Sequence, residues 1–222
     1  MPIMTRSTVE LVIFDCDGVL VDSERIAVKV DAVIMGDLGC MFTEEEIIEK
    51  FVGSSTEVYT AAVEEQLGRR LEKDWLQRYE HLYKAAFEAD LTAVDGVAEA
   101  LNGRTTPVCV ASNTDHAGIR RNLEIVALSD HFEERIFSAA DVPRGKPAPD
   151  LFLHAARSMG VEPGRCAVIE DSAYGVQAAR SAGMRAFGYY GGLTPASRLE
   201  GPGTTLFGDM RALPKLLATA TH

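Results

Sequence analysis

Asp15 and Asp17 stand one residue apart at the end of the apolar run Leu11-Val12-Ile13-Phe14, and Gly18 follows them. A carboxylate can attack phosphorus and carry the phosphoryl group as an aspartyl phosphate. A second carboxylate two residues on can protonate the leaving oxygen and later deprotonate the attacking water. Three more stretches have residue types suited to that chemistry: Ser112-Asn113, Lys146 in Gly145-Lys146-Pro147-Ala148-Pro149, and Glu170-Asp171-Ser172. A hydroxyl, backbone N–H groups at a helix start and one lysine make a receptor for a phosphoryl group. Several carboxylates at one point repel unless a hard cation joins them, and Mg²⁺ takes oxygen ligands while keeping waters. An EF-hand loop is excluded, because Val19 and Leu20 stand where that loop needs an acid and a glycine.

Taken singly, each stretch has an ordinary structural role: an acidic turn, a helix cap, a solvated loop lysine. The elements that carry them argue otherwise. Leu11–Phe14, Pro107–Ala111, Arg135–Phe137, Cys166–Ile169, Arg185–Gly188 and Thr204–Phe207 read as short buried strands, the last at an edge. Helical spacing fills Val97–Leu101, Ala117–Val126, Pro149–Met159, Ala173–Ala182 and the stretch near Met210–Leu217. Strands alternating with helices predict parallel pairing, an α/β doubly wound, Rossmann-like sheet. In such a sheet the strand ends lie on one edge, so the polar stretches converge there.

From about Asp22 to Thr92 the pattern is helical throughout. Asp22-Ser23 is a candidate cap for a helix through Ile26, Val30, Val33 and Ile34 to Gly36 or Gly39. Thr43-Glu44-Glu45-Glu46 is a capping box ahead of Ile47, Ile48 and Phe51. Gly53-Ser54-Ser55-Thr56 is a turn, followed by Val58, Tyr59, Ala62, Val63 and Leu67 at helical spacing. Trp75, Tyr79, Leu82, Tyr83 and Phe87 form an aromatic stripe expected to be bundle core. The predicted organisation is an α/β core of residues 1–21 and 93–222 with an inserted helical cap of residues 22–92. Residues 191–203 are expected to be a surface loop.

Composition narrows the function classes. A net charge of −11, with no basic cluster beyond Arg69-Arg70 and Arg120-Arg121, excludes a nucleic-acid partner. No apolar run approaches the roughly 20 residues of a membrane span, and residues 1–8 read as a short polar leader without a signal-peptide core. Cys16, Cys40, Cys109 and Cys166 form no Cys-x-x-Cys pair, so buried reduced thiols and a cytoplasmic location are expected. The oligomeric expectation is a monomer or a weak homodimer.

Asp15-Cys16-Asp17-Gly18-Val19-Leu20-Val21-Asp22-Ser23, Ser112-Asn113, Gly145-Lys146-Pro147-Ala148-Pro149-Asp150 and Ile169-Glu170-Asp171-Ser172-Ala173-Tyr174-Gly175 together resemble the haloacid dehalogenase-like hydrolase superfamily, in the branch with a helical cap after the first motif. Over essentially the whole chain the sequence is similar to the phosphatases and β-phosphoglucomutases of that branch. The resemblance implies that Asp15 is the nucleophile and Asp17 the general acid/base. It implies that Asp15, the Asp17 main-chain carbonyl and Asp171 hold Mg²⁺, with Glu170 helping directly or through water. It gives Ser112 and Asn113 to the phosphoryl oxygens and makes Lys146 the bridge between nucleophile and phosphate. The cap is expected to set specificity, with Glu24, Arg25, Gly53, Ser54 and Ser55 as candidate substrate contacts.

The expected activity is therefore Mg²⁺-dependent hydrolysis of a small phosphorylated metabolite, a sugar phosphate, through an aspartyl phosphate. The alternative within the branch is mutase-type transfer between sugar phosphates. β-Phosphoglucomutases carry a gating histidine in the first cap helix and a lysine and an arginine around the cap glycine. The matching positions here are Ala27, Val52 and Thr56. Family dehalogenases lack the second motif-one aspartate, and a phosphonatase needs a cap lysine that Phe51-Val52-Gly53-Ser54-Ser55-Thr56 does not supply. From another class, a phosphoryl-accepting regulatory module would also pair an aspartate with Mg²⁺ and a lysine, but such modules are shorter and carry no helical insertion.

Overall fold

The computed structural model describes residues 9–54, 56–102 and 106–219. Candidate contact Ser55 and the leader at residues 1–8 lie outside them. Six strands form one sheet: β1 (Leu11–Phe14), β2 (Val108–Ser112), β3 (Ile136–Ser138), β4 (Cys166–Glu170), β5 (Arg185–Tyr189) and β6 (Thr204–Phe207). Their order is β3-β2-β1-β4-β5-β6, and every pairing is parallel. β1 is flanked by β2 and β4, so the order reverses at its side, and the carboxyl ends of these three strands border the crevice where such sheets bind ligands.

The period-two alternation of β1 divides the core. Val12 and Phe14 face one side and pack with α5 (Val97–Leu101), α6 (His116–Ile125) and α10 (Leu213–Thr219). Leu11 and Ile13 face the other and pack with α7 (Asp150–Ser158) and α8 (Ala173–Ser181). All four are fully buried, the expected state of a central strand covered on both faces.

Between β1 and β2 the chain builds α1 (Glu24–Leu38), α2 (Glu44–Phe51), α3 (Thr56–Leu67) and α4 (Glu80–Asp90), with a 3₁₀ segment at Trp75–Tyr79. These bury a cluster of their own, including Ile34, Met35, Ile47, Tyr59, Val63 and Trp75. Thr43 and Glu46 form the predicted capping box, and Gly39 ends α1 in the left-handed conformation. Two neighbouring crossings join this bundle to the sheet. Val21 bridges Ala93, the Asp22 N–H donates to the Thr92 carbonyl at 2.9 Å, and the Val94 N–H donates to Leu20 at 3.0 Å.

Three local expectations change. Ser23 precedes α1 but makes no side-chain cap bond; its hydroxyl is drawn to Asp17 instead. Val33 is 61% exposed, because Ile26, Val30 and Ile34 already occupy the inward stripe and Val33 falls outside it. Residues 191–203 are not merely loop: Ala196–Leu199 form a short helix, α9, whose Leu199 is fully buried beside β5. All four cysteines are free and buried. Among the described residues no helix is long and apolar enough to cross a membrane.

Candidate active site

β1 delivers Asp15 to the sheet edge, where its N–H donates to the Ile169 carbonyl of β4 at 3.0 Å. Its Oδ1 accepts the Cys16 N–H at 2.7 Å and stands 2.7 Å from Lys146 Nζ. The same ammonium donates to Glu170 Oε1 at 2.7 Å. Glu170 ends β4 and is fully buried; its Oε2 accepts both the N–H (2.9 Å) and the hydroxyl (2.8 Å) of Ser172. The Ser172 hydroxyl also accepts the Gly175 N–H at 3.0 Å, capping α8 and tying that helix start to the cluster.

Carboxylate oxygens of Asp15, Glu170 and Asp171 lie within 4.8 Å of one another, all buried. Burial first, and then the Glu170 charge, pushes the Asp15 carboxyl well above the usual range. Burial and the nearby Glu24 and Glu170 do the same to Asp171. Burial alone would lower Lys146, but Asp15 and Glu170 outweigh it and the ammonium is held more firmly than usual. One lysine thus faces three buried carboxyls, with Glu24 beside Asp171 as a fourth. Asp171 Oδ2 and Glu24 Oε2 are buried without a hydrogen-bond partner among the described residues. Gly18 closes tightly over this point: its φ is +72°, and a Cβ there would stand 1.9 Å from Asp171 Oδ2. An all-oxygen, anion-rich donor set with an unpartnered buried carboxylate fits a hard divalent cation.

Asp17 is held apart from this cluster. Ser23 Oγ donates to its Oδ1 and Thr114 Oγ1 to its Oδ2, each at 2.8 Å. Ser112, at the end of β2, is 2% exposed, and its Oγ accepts the Thr114 N–H at 3.1 Å. Asn113 uses its side chain on the Lys146 backbone, accepting its N–H at 2.9 Å and donating to its carbonyl at 3.2 Å. It therefore fixes the lysine loop. Phe152 of α7 lies under the ammonium, 5.1 Å from ring centroid to Nζ.

Of the predicted cap contacts, Glu24 reaches the cluster from the first position of α1. Gly53 approaches α8, since a Cβ on it would lie 3.5 Å from Ser172 Cβ, and Ser54 lines a cavity of the bundle. Arg25 is not brought in: one step round the helix from Glu24, it pairs with Asp22 at 3.3 Å and is half exposed. The residues that sequence reasoning missed are Ser23 and Thr114. Thr114 lies two places after Ser112, but its partner is 97 residues away in the chain.

Residues 9–183 match the haloacid dehalogenase-like hydrolase family. The chain is 32% identical over 214 residues to 6-phosphogluconate phosphatase of Escherichia coli, covering 95% of each. Its structure is similar to that of a conserved haloacid dehalogenase-like protein of unknown function from Agrobacterium tumefaciens, at 39% identity and a TM-score of 0.87, over 96% of this chain and 99% of that one. It is also similar to a HAD family hydrolase from Deinococcus radiodurans with bound phosphate and sodium, at 31% identity and a TM-score of 0.77, over 96% and 97%. With a doubly wound sheet, two strand-end acidic pairs and a bridging lysine already in place, this chain belongs to the haloacid dehalogenase-like hydrolases.

Proposed function

We propose that the chain is a phosphatase that hydrolyses a small sugar phosphate through an aspartyl phosphate on Asp15, with a divalent cation, Mg²⁺, at the acidic cluster. The carrying observation is Lys146 Nζ at 2.7 Å from both Asp15 and Glu170, with Asp17 anchored separately by two hydroxyls. The relative named for 6-phosphogluconate supports the monoester class.

In this reading Lys146 and the Cys16 N–H bind the Asp15 carboxylate and aim it at phosphorus, and the cation would supply the further positive charge that its ionised form needs. A carboxylate oxygen of Asp15 forms the new P–O bond as the ester P–O bond breaks. Asp17 gives its proton to the departing alkoxide, then takes one from the water that cleaves the aspartyl phosphate. Ser112 and Lys146 receive the phosphoryl oxygens, and Asn113 keeps Lys146 in register. Asp15, Asp171 and the Asp17 carbonyl would hold the cation, which supplies positive charge against the carboxylates and the phosphoryl oxygens. Glu170, already bonded to Lys146 and Ser172, would help hold the cation directly or through water.

The helices of residues 22–92 work as a cap that closes over the ester and keeps bulk water from the first step. Phosphate release from a panel of sugar and other small phosphomonoesters, with Mg²⁺ and with a chelator, tests the reading. Steady release that needs the metal is expected. A single stoichiometric phosphorylation without turnover would replace the enzyme by a regulatory module.

A further inference from the structure

A cavity of about 170 Å³ opens inside the helical bundle, lined by Ala27, Asp31, Phe51, Ser54, Tyr59 and Tyr83 among others. Its position follows from helix spacing. Glu24, Ala27 and Asp31 are at i, i+3 and i+7 of α1 and so share one face. The first touches the acidic cluster, and the last lies about 10 Å further along the axis at 1.5 Å per residue. Ser54 adjoins Gly53, which faces Ser172 of the core. The cavity therefore lies further along the face of α1 that brings Glu24 to the acidic cluster.

Its chemistry is specific. Asp31 is 9% exposed, and the hydroxyls of Tyr59 and Tyr83 both donate to its Oδ1. Both bonds go to Oδ1, which leaves Oδ2 as the carboxylate oxygen open to a further donor. The two tyrosine hydroxyls, both turned to the same Asp31 oxygen, also lie beside each other. Ser54 and Thr56 supply hydroxyls to the wall, and Tyr59 is fixed by stacking on Trp75 at 5.7 Å. No lysine, arginine or histidine is among the described lining residues. Lys84 and Arg121 line a separate cleft that shares only Tyr83 with this one among the described lining residues. Burial raises the Asp31 carboxyl, and the two tyrosine bonds lower it in part. Charged or neutral, the wall offers nothing to balance an anion, and placing one there would cost its hydration.

Resting on the phosphatase reading above, we propose that Asp31, with Tyr59 and Tyr83, is the specificity device of this enzyme, selecting a neutral polyhydroxylated leaving group and rejecting one with a distal anion. Sugar or polyol monophosphates are then substrates. Bisphosphates and phosphorylated sugar acids, the class named for the Escherichia coli relative, are excluded. A leaving-group hydroxyl can donate to Asp31 Oδ2, whereas a distal carboxylate brings no proton and meets a like charge, which is how a hydrogen-bonding site gains selectivity.

The test compares glucitol 6-phosphate with 6-phosphogluconate, which differ at the far carbon only, a hydroxymethyl in one and a carboxylate in the other. The intact enzyme should favour glucitol 6-phosphate in kcat/KM by at least tenfold. Asp31→Asn should narrow that ratio to within about threefold, and Tyr83→Phe should lower kcat/KM for the polyol ester, both judged on variants that melt cooperatively. Equal use or preference for 6-phosphogluconate would overturn the proposal, as would an Asp31→Asn ratio like that of the parent. p-Nitrophenyl phosphate separates the two levels of failure. If it is hydrolysed while neither sugar ester is preferred, the pocket assignment alone fails; if nothing is hydrolysed, the phosphatase reading fails with it.

Discussion

The Ser23 hydroxyl donates to Oδ1 of Asp17 at 2.8 Å, linking the residue before the first inserted helix to the second aspartate of the β1 end. Thr114, just past β2, holds the other oxygen at the same distance. Asp17 is therefore oriented from two sides by groups that take no part in bond making. A hydrogen bond to a charged group is worth about 1.5–3 kcal/mol. Ser23→Ala and Thr114→Val should each lower kcat about tenfold with little change in melting temperature, and the pair together should approach the loss of Asp17→Asn. Saturation kinetics beside thermal melts check this, and an unchanged kcat in both would remove the positioning role.

Asp15→Asn keeps the shape of the carboxylate and removes its attacking charge. Turnover should fall by several orders of magnitude, as when a covalent nucleophile is lost elsewhere. Lys146 would keep Glu170 as its partner, so the variant should fold. Circular dichroism with phosphate release measures both at once. More than a few per cent of residual activity in a folded variant would assign the nucleophile elsewhere.

Much of this was legible in the sequence. The run Leu11–Phe14 ends in a polar pair, and alternating strands and helices imply that polar strand ends share one edge, so Asp15, Asp17, Ser112, Lys146, Glu170 and Asp171 could be gathered before any coordinates. What could not be read is which polar groups pair across distance. Ser23 looked like a helix cap because serine before a helix usually is one. Asn113 stands beside Ser112 in its motif, but its two bonds to the Lys146 backbone, 33 residues on, could not be read from sequence. Tyr83 sat in a stripe of aromatic spacing, and only the packing of α1 against α3 and α4 turns its hydroxyl, with that of Tyr59, onto Asp31.

The buried carboxyls give the metal-free protein a pH dependence of defined sign. Burial raises Glu24 from 4.5 to about 7, and Asp15 and Asp171 are raised too. A carboxyl with a raised folded-state pKa binds its proton more tightly in the folded than in the unfolded chain. Its contribution is full below pH 4.5 and is lost as pH rises through about 7, up to about 3 kcal/mol for Glu24 alone. Melting temperature without metal should therefore fall between pH 5 and pH 8. Mg²⁺ should raise it more at pH 8 than at pH 5, since it binds the ionised cluster. Thermal melts at the two pH values, with and without Mg²⁺, measure both, and Asp171→Ala should abolish the metal-dependent gain. A Mg²⁺ shift that is equal at both values, or that survives Asp171→Ala, would place the cation elsewhere.

Hydrolysis and mutase chemistry share the first step and part at the second. A mutase must hold the aspartyl phosphate until a sugar phosphate returns to it, which needs cap groups that bind a second phosphate and gate the acid/base. Ala27, which lines the bundle cavity beside Thr56, can do neither, and Thr56 is neutral. The cations of α1 do not substitute for them: Arg25 is paired with Asp22 and Lys29 is exposed. Water activated by Asp17 is then the acceptor, and the aspartyl phosphate should be short-lived. Supplied with β-glucose 1-phosphate and a bisphosphate primer, the enzyme should release inorganic phosphate and form little glucose 6-phosphate, both followed by phosphorus NMR. Isomerisation faster than phosphate release would make the chain a mutase, and it would require Ala27 and Thr56 to be replaced in function by residues this geometry keeps at the surface.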